Sequence, residues 1–162
     1  MSQKSMLQKV YSKIEKLPTP LKTRAMTLVF GQAVKYFRTS GCKYEWIETN
    51  HSIVSIKNRT AVQNHLGSVH AVAMIMIAES ATGALVGLNL PANVVPVIKR
   101  MEVDYRKRAK GDMRAEAMLT QEQIQSMQTM ERGEVDVAVT ITDEENKEPV
   151  FVRALWAWTP KR

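Results

Sequence analysis

Ala71–Leu88, AVAMIMIAESATGALVGL, holds one ionisable side chain, Glu79, in eighteen residues. A helix that is apolar all round lies inside a protein core or inside a membrane. Eighteen residues just reach the length needed to cross a bilayer. A carboxylate at the middle, with Ser80, Thr82, Gly83 and Gly87 around it, is costly in lipid. The stretch is therefore expected to be a buried helix, and no membrane partner is expected.

The flanking segments have a different period. Before the helix, Tyr44–Glu48 and Ile53–Lys57 alternate around the polar turn 49–51 and read as a hairpin. Residues 58–68 lack a period and are rich in hydrogen-bonding side chains, an ordered loop with Ser68 as a candidate N-cap. After the helix, Val94–Arg108 places Met101, Val103 and Tyr105 on one face. Lys110-Gly111-Asp112 makes a turn, and Met113–Leu119 continues beyond it. Glu134–Thr142 aligns Val135, Val137, Val139 and Ile141; Val150–Trp158 aligns Val150, Val152, Ala154, Trp156 and Trp158. Strands with one apolar face form antiparallel sheets packed on one side. One buried helix and several such strands are satisfied by an α+β fold in which a curved antiparallel sheet wraps the helix.

Two helices are expected at the start: 5–17, with Met6, Leu7, Val10, Ile14 and Leu17 on one face, and 21–37, separated by Leu17-Pro18-Thr19-Pro20. The chain of 162 residues is read as one domain, 1–162, with N-terminal helices over 1–40 and a core over 42–160. Its net charge of +7 is unevenly placed: residues 1–81 carry 11 basic and 4 acidic side chains, residues 82–162 carry 12 of each. The basic helices lack interleaved aromatics and any nucleic-acid motif, so no nucleic-acid partner is expected. The polar, basic start has no apolar run behind it, so a cytoplasmic location is expected. Cys42 stands alone, and His51 and His65 have no partner at metal spacing, so neither a disulfide nor a metal site is expected.

Glu79 needs a reason to be buried. Burial raises a carboxyl pKa and makes the group a base near neutral pH, although structural networks also hold buried acids. Asn64 and His70 are further polar groups near the helix start. His70 and Glu79, nine positions apart, have backbones separated by about 13.5 Å along a helix. They cannot meet at one reacting atom within a chain. Joint action requires two chains related by a two-fold axis, one presenting its helix N-terminus to the other's carboxylate. Such an N-terminus offers free N–H groups to a carbonyl oxygen, here near His70 and Ala71.

Asn64–Gly83, NHLGSVHAVAMIMIAESATG, resembles the hotdog-fold acyl-CoA thioesterases, in particular the phenylacetyl-CoA and Arthrobacter-type 4-hydroxybenzoyl-CoA branch. In that family Asn or Gln is followed six residues later by His, then Gly-Gly, then Asp or Glu nine residues after the His. Tyr105–Asp112 is similar to the strand and turn after the family's helix, and the strand order agrees over about residues 42–160. The resemblance implies a hotdog fold and hydrolysis of an acyl or aroyl thioester at a dimer interface. Glu79 would attack the carbonyl or activate water. Asn64 would position water or carbonyl, the Ala71 amide would hold the oxyanion, and His70 would assist. Gly67, Ser68, Thr82 and Gly83 would border the substrate. Coenzyme A enters as part of the substrate and no cofactor is implied; the partner is a second copy, as a homodimer or a dimer of dimers. Ala71-Val72 replaces the family's Gly-Gly, and Gly83 stands where Ser or Thr is often found. An acyl-CoA-binding module without chemistry is the alternative.

Arg106, Lys107, Arg108 and Lys110 are candidates for the coenzyme A phosphates or a solvated strand end. Met74, Met76, Met101, Met113 and Met118 read as core or as a malleable acyl tunnel.

Overall fold

The computed structural model describes residues 4–161. Met1–Gln3 and Arg162, which fall within the single-domain expectation, lie outside the described residues. Helices α1 (Met6–Ile14), α2 (Thr19–Ala33) and α3 (Lys35–Thr39) come first. Strands β1 (Lys43–Ile47) and β2 (His51–Ile56) follow, then a 3-10 turn at Thr60–Val62, the long helix α4 (Ala71–Asn89) and β3 (Val94–Tyr105). The chain ends with β4 (Met113–Met118), α5 (Gln121–Thr129), β5 (Gly133–Asp143) and β6 (Val150–Pro160). The six strands form one antiparallel sheet in the order β1-β2-β4-β5-β6-β3. The sheet curves around α4, which packs against every strand from β2 to β6. This is the hotdog arrangement, an α+β fold, as the resemblance implied.

The expected inner faces are the buried ones. Val135, Val137, Val139 and Ile141 of β5, and Val150, Val152, Ala154, Trp156 and Trp158 of β6, all point into the core. Helix α4 is long and apolar enough to cross a membrane by length and composition, yet it is mostly buried within the protein. Its lining fits the interior. Tyr44 on β1 donates its hydroxyl to the Ser80 carbonyl at 3.0 Å, and Ser52 on β2 donates to the Ala81 carbonyl at 2.7 Å. Two polar side chains on the sheet thus find acceptors on the helix backbone, and α4 is bolted to β1 and β2 at the turn that carries Glu79.

Several expectations are corrected. The second N-terminal helix does not run unbroken to Phe37; Val34 is extended, with φ −110° and ψ 91°, between α2 and α3. The break turns Phe37 back into the core, where its ring meets Phe30 and Tyr44 at centroid distances of 5.1 and 5.4 Å. Ser68 is not the N-cap of α4; it is buried in the preceding turn, and His70 caps the helix. Strand β3 ends at Tyr105, three residues before the expected Arg108. A bulge between Ile98 and Arg100 switches its inward parity, from Val94, Pro96 and Ile98 to Met101 and Val103. Met118 leaves the methionine group: β4 turns Met113, Ala115 and Ala117 inward, so Met118 faces solvent. Helix α5 was not expected at all. It begins with a capping box in which Thr120 and Gln123 exchange side-chain and backbone hydrogen bonds, and it buries Ile124 and Met127.

Candidate active site

Buried contacts leave one stripe of α4 partly open: Ile75, Glu79, Gly83 and Gly87, each one turn beyond the last. Against it lies a cleft of about 390 Å³, walled by Phe30 and Val34, by Val94, Val95 and Pro96 at the start of β3, and by Trp156 of β6. Helix α1 closes the far end through Leu7. Glu79 is half-buried in this cleft, and its carboxylate has no hydrogen-bond or ion-pair partner among the described residues. Burial alone therefore pushes its pKa above the ordinary carboxylate value. The structural alternative, an Arg or Lys partner, is absent within the described chain.

Thr82 and Gly83, which follow Glu79 on α4, play different parts. Thr82 is fully buried; its hydroxyl bonds the Ala78 and Glu79 carbonyls and accepts the indole N–H of Trp156 at 3.0 Å. Gly83 lies on the cleft and admits the Trp156 ring against the helix.

The start of α4 has its own geometry. The Val72 N–H donates to His70 Nδ1 at 3.1 Å, and the Ala73 and Met74 N–H groups both reach the His70 carbonyl. Of the first-turn donors, the Ala71 N–H is left without an acceptor among the described residues. Because Nδ1 accepts, the neutral His70 ring carries its proton on Nε2, and the ring is exposed. His70 and Val72 border a second groove, of about 470 Å³, with Tyr36, Thr39 and Gln63. Glu79 is not among its lining residues, so one chain does not bring Glu79 together with His70.

Asn64 organises the loop before the helix. Its Oδ1 accepts from the Leu66 and Ser68 amides, and its backbone N–H donates to the Ser68 carbonyl. Gly67 closes the turn at φ +73°, a conformation that favours glycine. The Asn64 Nδ2 has no acceptor among the described residues. The loop is anchored from outside: Arg108 donates to the Leu66 carbonyl at 2.7 Å and Asn58 to the Gly67 carbonyl at 3.0 Å.

The four cations of the segment after β3 are exposed. Arg106 stacks on the Phe151 ring at 4.7 Å, Arg108 holds the loop, and Lys110 pairs with Glu145 at 3.0 Å. Lys107 makes no side-chain contact of these kinds among the described residues. Cys42 is buried, which pushes its thiol up to about 12, so it is no nucleophile. No group of three metal-ligating side chains occurs among the described residues.

Three residues that shape the site were missed in the sequence. Tyr105 donates its hydroxyl to the Ala71 carbonyl at 3.2 Å, beside the free amide. Trp156 walls the cleft. Leu7 closes it, pressed on Gly87. The recurrence of Gly at four and eight positions beyond Glu79 was a readable sign of an open helix face; contacts made from α1 and β6 have no local signature.

Among solved structures, the chain is similar to a Pseudomonas aeruginosa protein of unknown function described as a probable thioesterase, with 27% identity and a TM-score of 0.77 over 90% of this chain and 97% of that one. A Haemophilus influenzae thioesterase matches at 14% identity and a TM-score of 0.67, covering 83% and 90% of the two chains. A thioesterase family protein from Silicibacter pomeroyi matches at 11% and 0.68, covering 83% and 96%. At such identities the last two carry the fold alone. No curated protein matches the chain. A family model described as a domain of unknown function, DUF4442, matches residues 22–158, which take in most of α2, all of α3, the central helix and nearly the whole of the sheet, and the chain belongs to that family.

Proposed function

We propose that the protein is a homodimeric hotdog thioesterase that hydrolyses an acyl-CoA, with each site built from both protomers. The observation that carries the reading is Glu79, an unpaired carboxylate of raised pKa facing an apolar cleft from a helix held rigidly to the sheet. The hotdog neighbours described as thioesterases support it.

The chemistry follows from the groups present. Glu79 of one protomer takes a proton from water as the oxygen attacks the thioester carbon. The carbonyl oxygen becomes an oxyanion beside the free Ala71 N–H of the other protomer, at the positive end of α4. Collapse breaks the C–S bond, and the proton held by Glu79 passes to the departing thiolate, giving a carboxylic acid and a thiol. Asn64, whose Nδ2 is free on an anchored loop, orients the carbonyl or water, and the His70 Nε2–H donates nearby. Lys107 and, by exchange of its surface partner, Lys110 receive the coenzyme A phosphates. Dimerisation is supported by β3, a twelve-residue strand at the sheet edge with Val95 and Val97 exposed. Such an edge offers its unpaired backbone groups to a second copy.

Purified protein is to be assayed on a panel of aromatic and aliphatic acyl-CoAs. Glu79→Gln and Glu79→Ala should each lower kcat by about hundredfold or more, the size of a lost general base. No turnover on any member, or turnover in both variants unchanged from the parent, rejects the reading. The alternative, acyl-CoA binding without chemistry, draws on Val72, which exposes 52% of its surface at the helix start where the related enzymes have glycine. Tight binding without hydrolysis would favour it.

A further inference from the structure

We propose that the cleft beyond Glu79 measures straight acyl chains of medium length, with helix α1 as its end stop. The proposal deepens the thioesterase reading and relies on it only for the placement of the thioester at Glu79.

Glu79, Gly83 and Gly87 lie at i, i+4 and i+8 of α4, one above another on one face. The missing side chains at the second and third positions let Trp156 and Leu7 close onto α4, and the cleft, a trough, runs beside them between α4, α2 and the start of β3. Its boundaries are set by large apolar groups. A Cβ built on Gly83 would lie 2.9 Å from the edge of the Trp156 ring, so the indole packs directly on the helix there. A Cβ built on Gly87 would lie 3.0 Å from Leu7 Cδ2, so the Leu7 side chain of α1 sits across the trough at its end.

The stop is held in place. Gln8, the next residue of α1, donates from Nε2 to the carbonyls of Leu88 and Leu90, both at 2.9 Å. These are carbonyls at the C-terminal end of α4, so α1 is tied to the helix that the cleft follows.

Of the polar side chains along the cleft beyond Glu79, two are engaged and one lies at its exposed rim. The Ser5 hydroxyl caps α1, the Ser80 hydroxyl turns to the Met76 sulfur, and Lys161 is exposed. A saturated chain suits such walls better than a hydroxylated one.

Eight residues of helix separate Glu79 from Gly87, about 12 Å. Carbon–carbon bonds of about 1.5 Å advance roughly 1.25 Å each in an extended chain, so the trough takes about eight to ten carbons. An aroyl group would occupy only the turn next to Glu79 and leave the Gly87 end empty.

The test separates chain binding from chemistry. Binding of straight 1-alkanols from butanol to dodecanol is measured by titration calorimetry on the full-length protein, alongside hydrolysis of straight-chain acyl-CoAs over the same lengths. Affinity should rise about fourfold for each added methylene and stop rising near eight to ten carbons. Leu7→Ala should move the break to longer chains, and Leu7→Trp should move it shorter by about two carbons, roughly 2.5 Å of cleft at that advance per carbon. Gly87→Leu should also shorten it, and the Leu7 variants keep the test open if that helix variant does not fold. A rise through dodecanol without a break, a break that stays fixed in every variant, tighter binding of benzyl alcohol than of octanol, or no alcohol binding at all overturns the proposal. A moving break with no thioester cleavage supports it and rejects the enzyme reading; cleavage with no break does the reverse.

Discussion

The Trp156 ring fills the space that a side chain on Gly83 would need, with its nearest ring atom 2.9 Å from where a Cβ would stand. The ring cannot retreat freely, because its N–H is bonded to Thr82 on the same helix and it is 7% exposed. The wall of the cleft and the helix beside it are thus fixed to each other by one hydrogen bond and one missing side chain.

Gly83→Ala and Gly87→Ala are therefore expected to differ in sign. Replacing a helical Gly by Ala gains about 1 kcal/mol in propensity, while overpacking a core costs about 1–3 kcal/mol. At Gly83 the clash is with a large, bonded indole and the cost wins, a net loss of about 1 kcal/mol. At Gly87 the clash is with one methyl of Leu7 at 3.0 Å, which needs to give by only a few tenths of an ångström while still crossing the cleft, so the variant should be neutral or more stable by up to about 1 kcal/mol. Urea unfolding of the two variants beside the parent measures both; equal destabilisation would refute the contrast.

Glu79 should leave a mark on the pH dependence of both stability and rate. Burial raises its folded-state pKa, so between the ordinary carboxylate value and the raised one the folded protein binds more protons than the unfolded chain. Stability contributed by this group consequently falls as pH rises through that window, and the full cost of an ionised, half-buried carboxylate is present above it. Glu79→Gln should melt at a higher temperature than the parent at neutral pH, and the gap should close as pH drops below the ordinary carboxylate range. In the active protein, kcat/KM should fall on the acid side with an apparent pKa above that of a free Glu. Melting curves across pH and a pH–rate profile check the two outcomes.

The strands and central helix were legible because their burial patterns obey the periods that the side chains display: Val135 to Ile141 alternate, and Ala71 to Leu88 are apolar throughout. Helix α5 was legible in principle from Thr120 and Gln123, a capping box in the sequence, but its short amphipathic run sits between two strand signals. The break at Val34 carries no Pro or Gly and follows from where Phe37 must pack, a long-range demand. The site divides the same way. Glu79 stands out as a lone charge in an apolar run, and the strain of its position is local. That Thr82 is spent on Trp156, and that Arg108 braces the Asn64 loop, depend on contacts across 74 and 42 positions, which spacing along the chain does not encode.

Ala71→Pro tests the oxyanion donor with little structural cost. Ala71 is the first residue of α4, where proline is favoured, and its N–H has no partner to lose. His70 before it already has φ −62° and ψ 143°, the extended region that a following proline requires. The variant should keep its melting temperature while kcat drops by about 10²–10³, the cost of one oxyanion-hole donor. If the two groups belong to different protomers, mixing Ala71→Pro with Glu79→Gln should restore activity through heterodimers that contain one intact site. Turnover assays on each variant and on the remixed pair decide it; no recovery on mixing, with heterodimers demonstrated by mass, would rule out the shared site.

Gln8 links three features that a helix end must satisfy. Its Oε1 accepts the Ser5 N–H to complete the capping box of α1, and its Nε2 supplies the carbonyls of Leu88 and Leu90. Gln8→Ala removes all of these at once, and the loss of one cap plus hydrogen bonds at a half-buried site should cost about 1–3 kcal/mol. Because α1 contacts chiefly α4 and α2, the loss should appear first as local opening and not as global unfolding. Amide exchange should speed up over residues 6–14 and at the end of α4, while β4, β5 and β6 keep their protection. Gln8→Glu keeps the acceptor for Ser5 and loses the donor to α4, so it should release α1 from α4 while leaving the α1 capping box formed. Exchange measured on both variants separates the cap from the clamp, and slow exchange over 6–14 in Gln8→Ala would show that α1 is held by its apolar face through Leu7, Tyr11 and Ile14 instead.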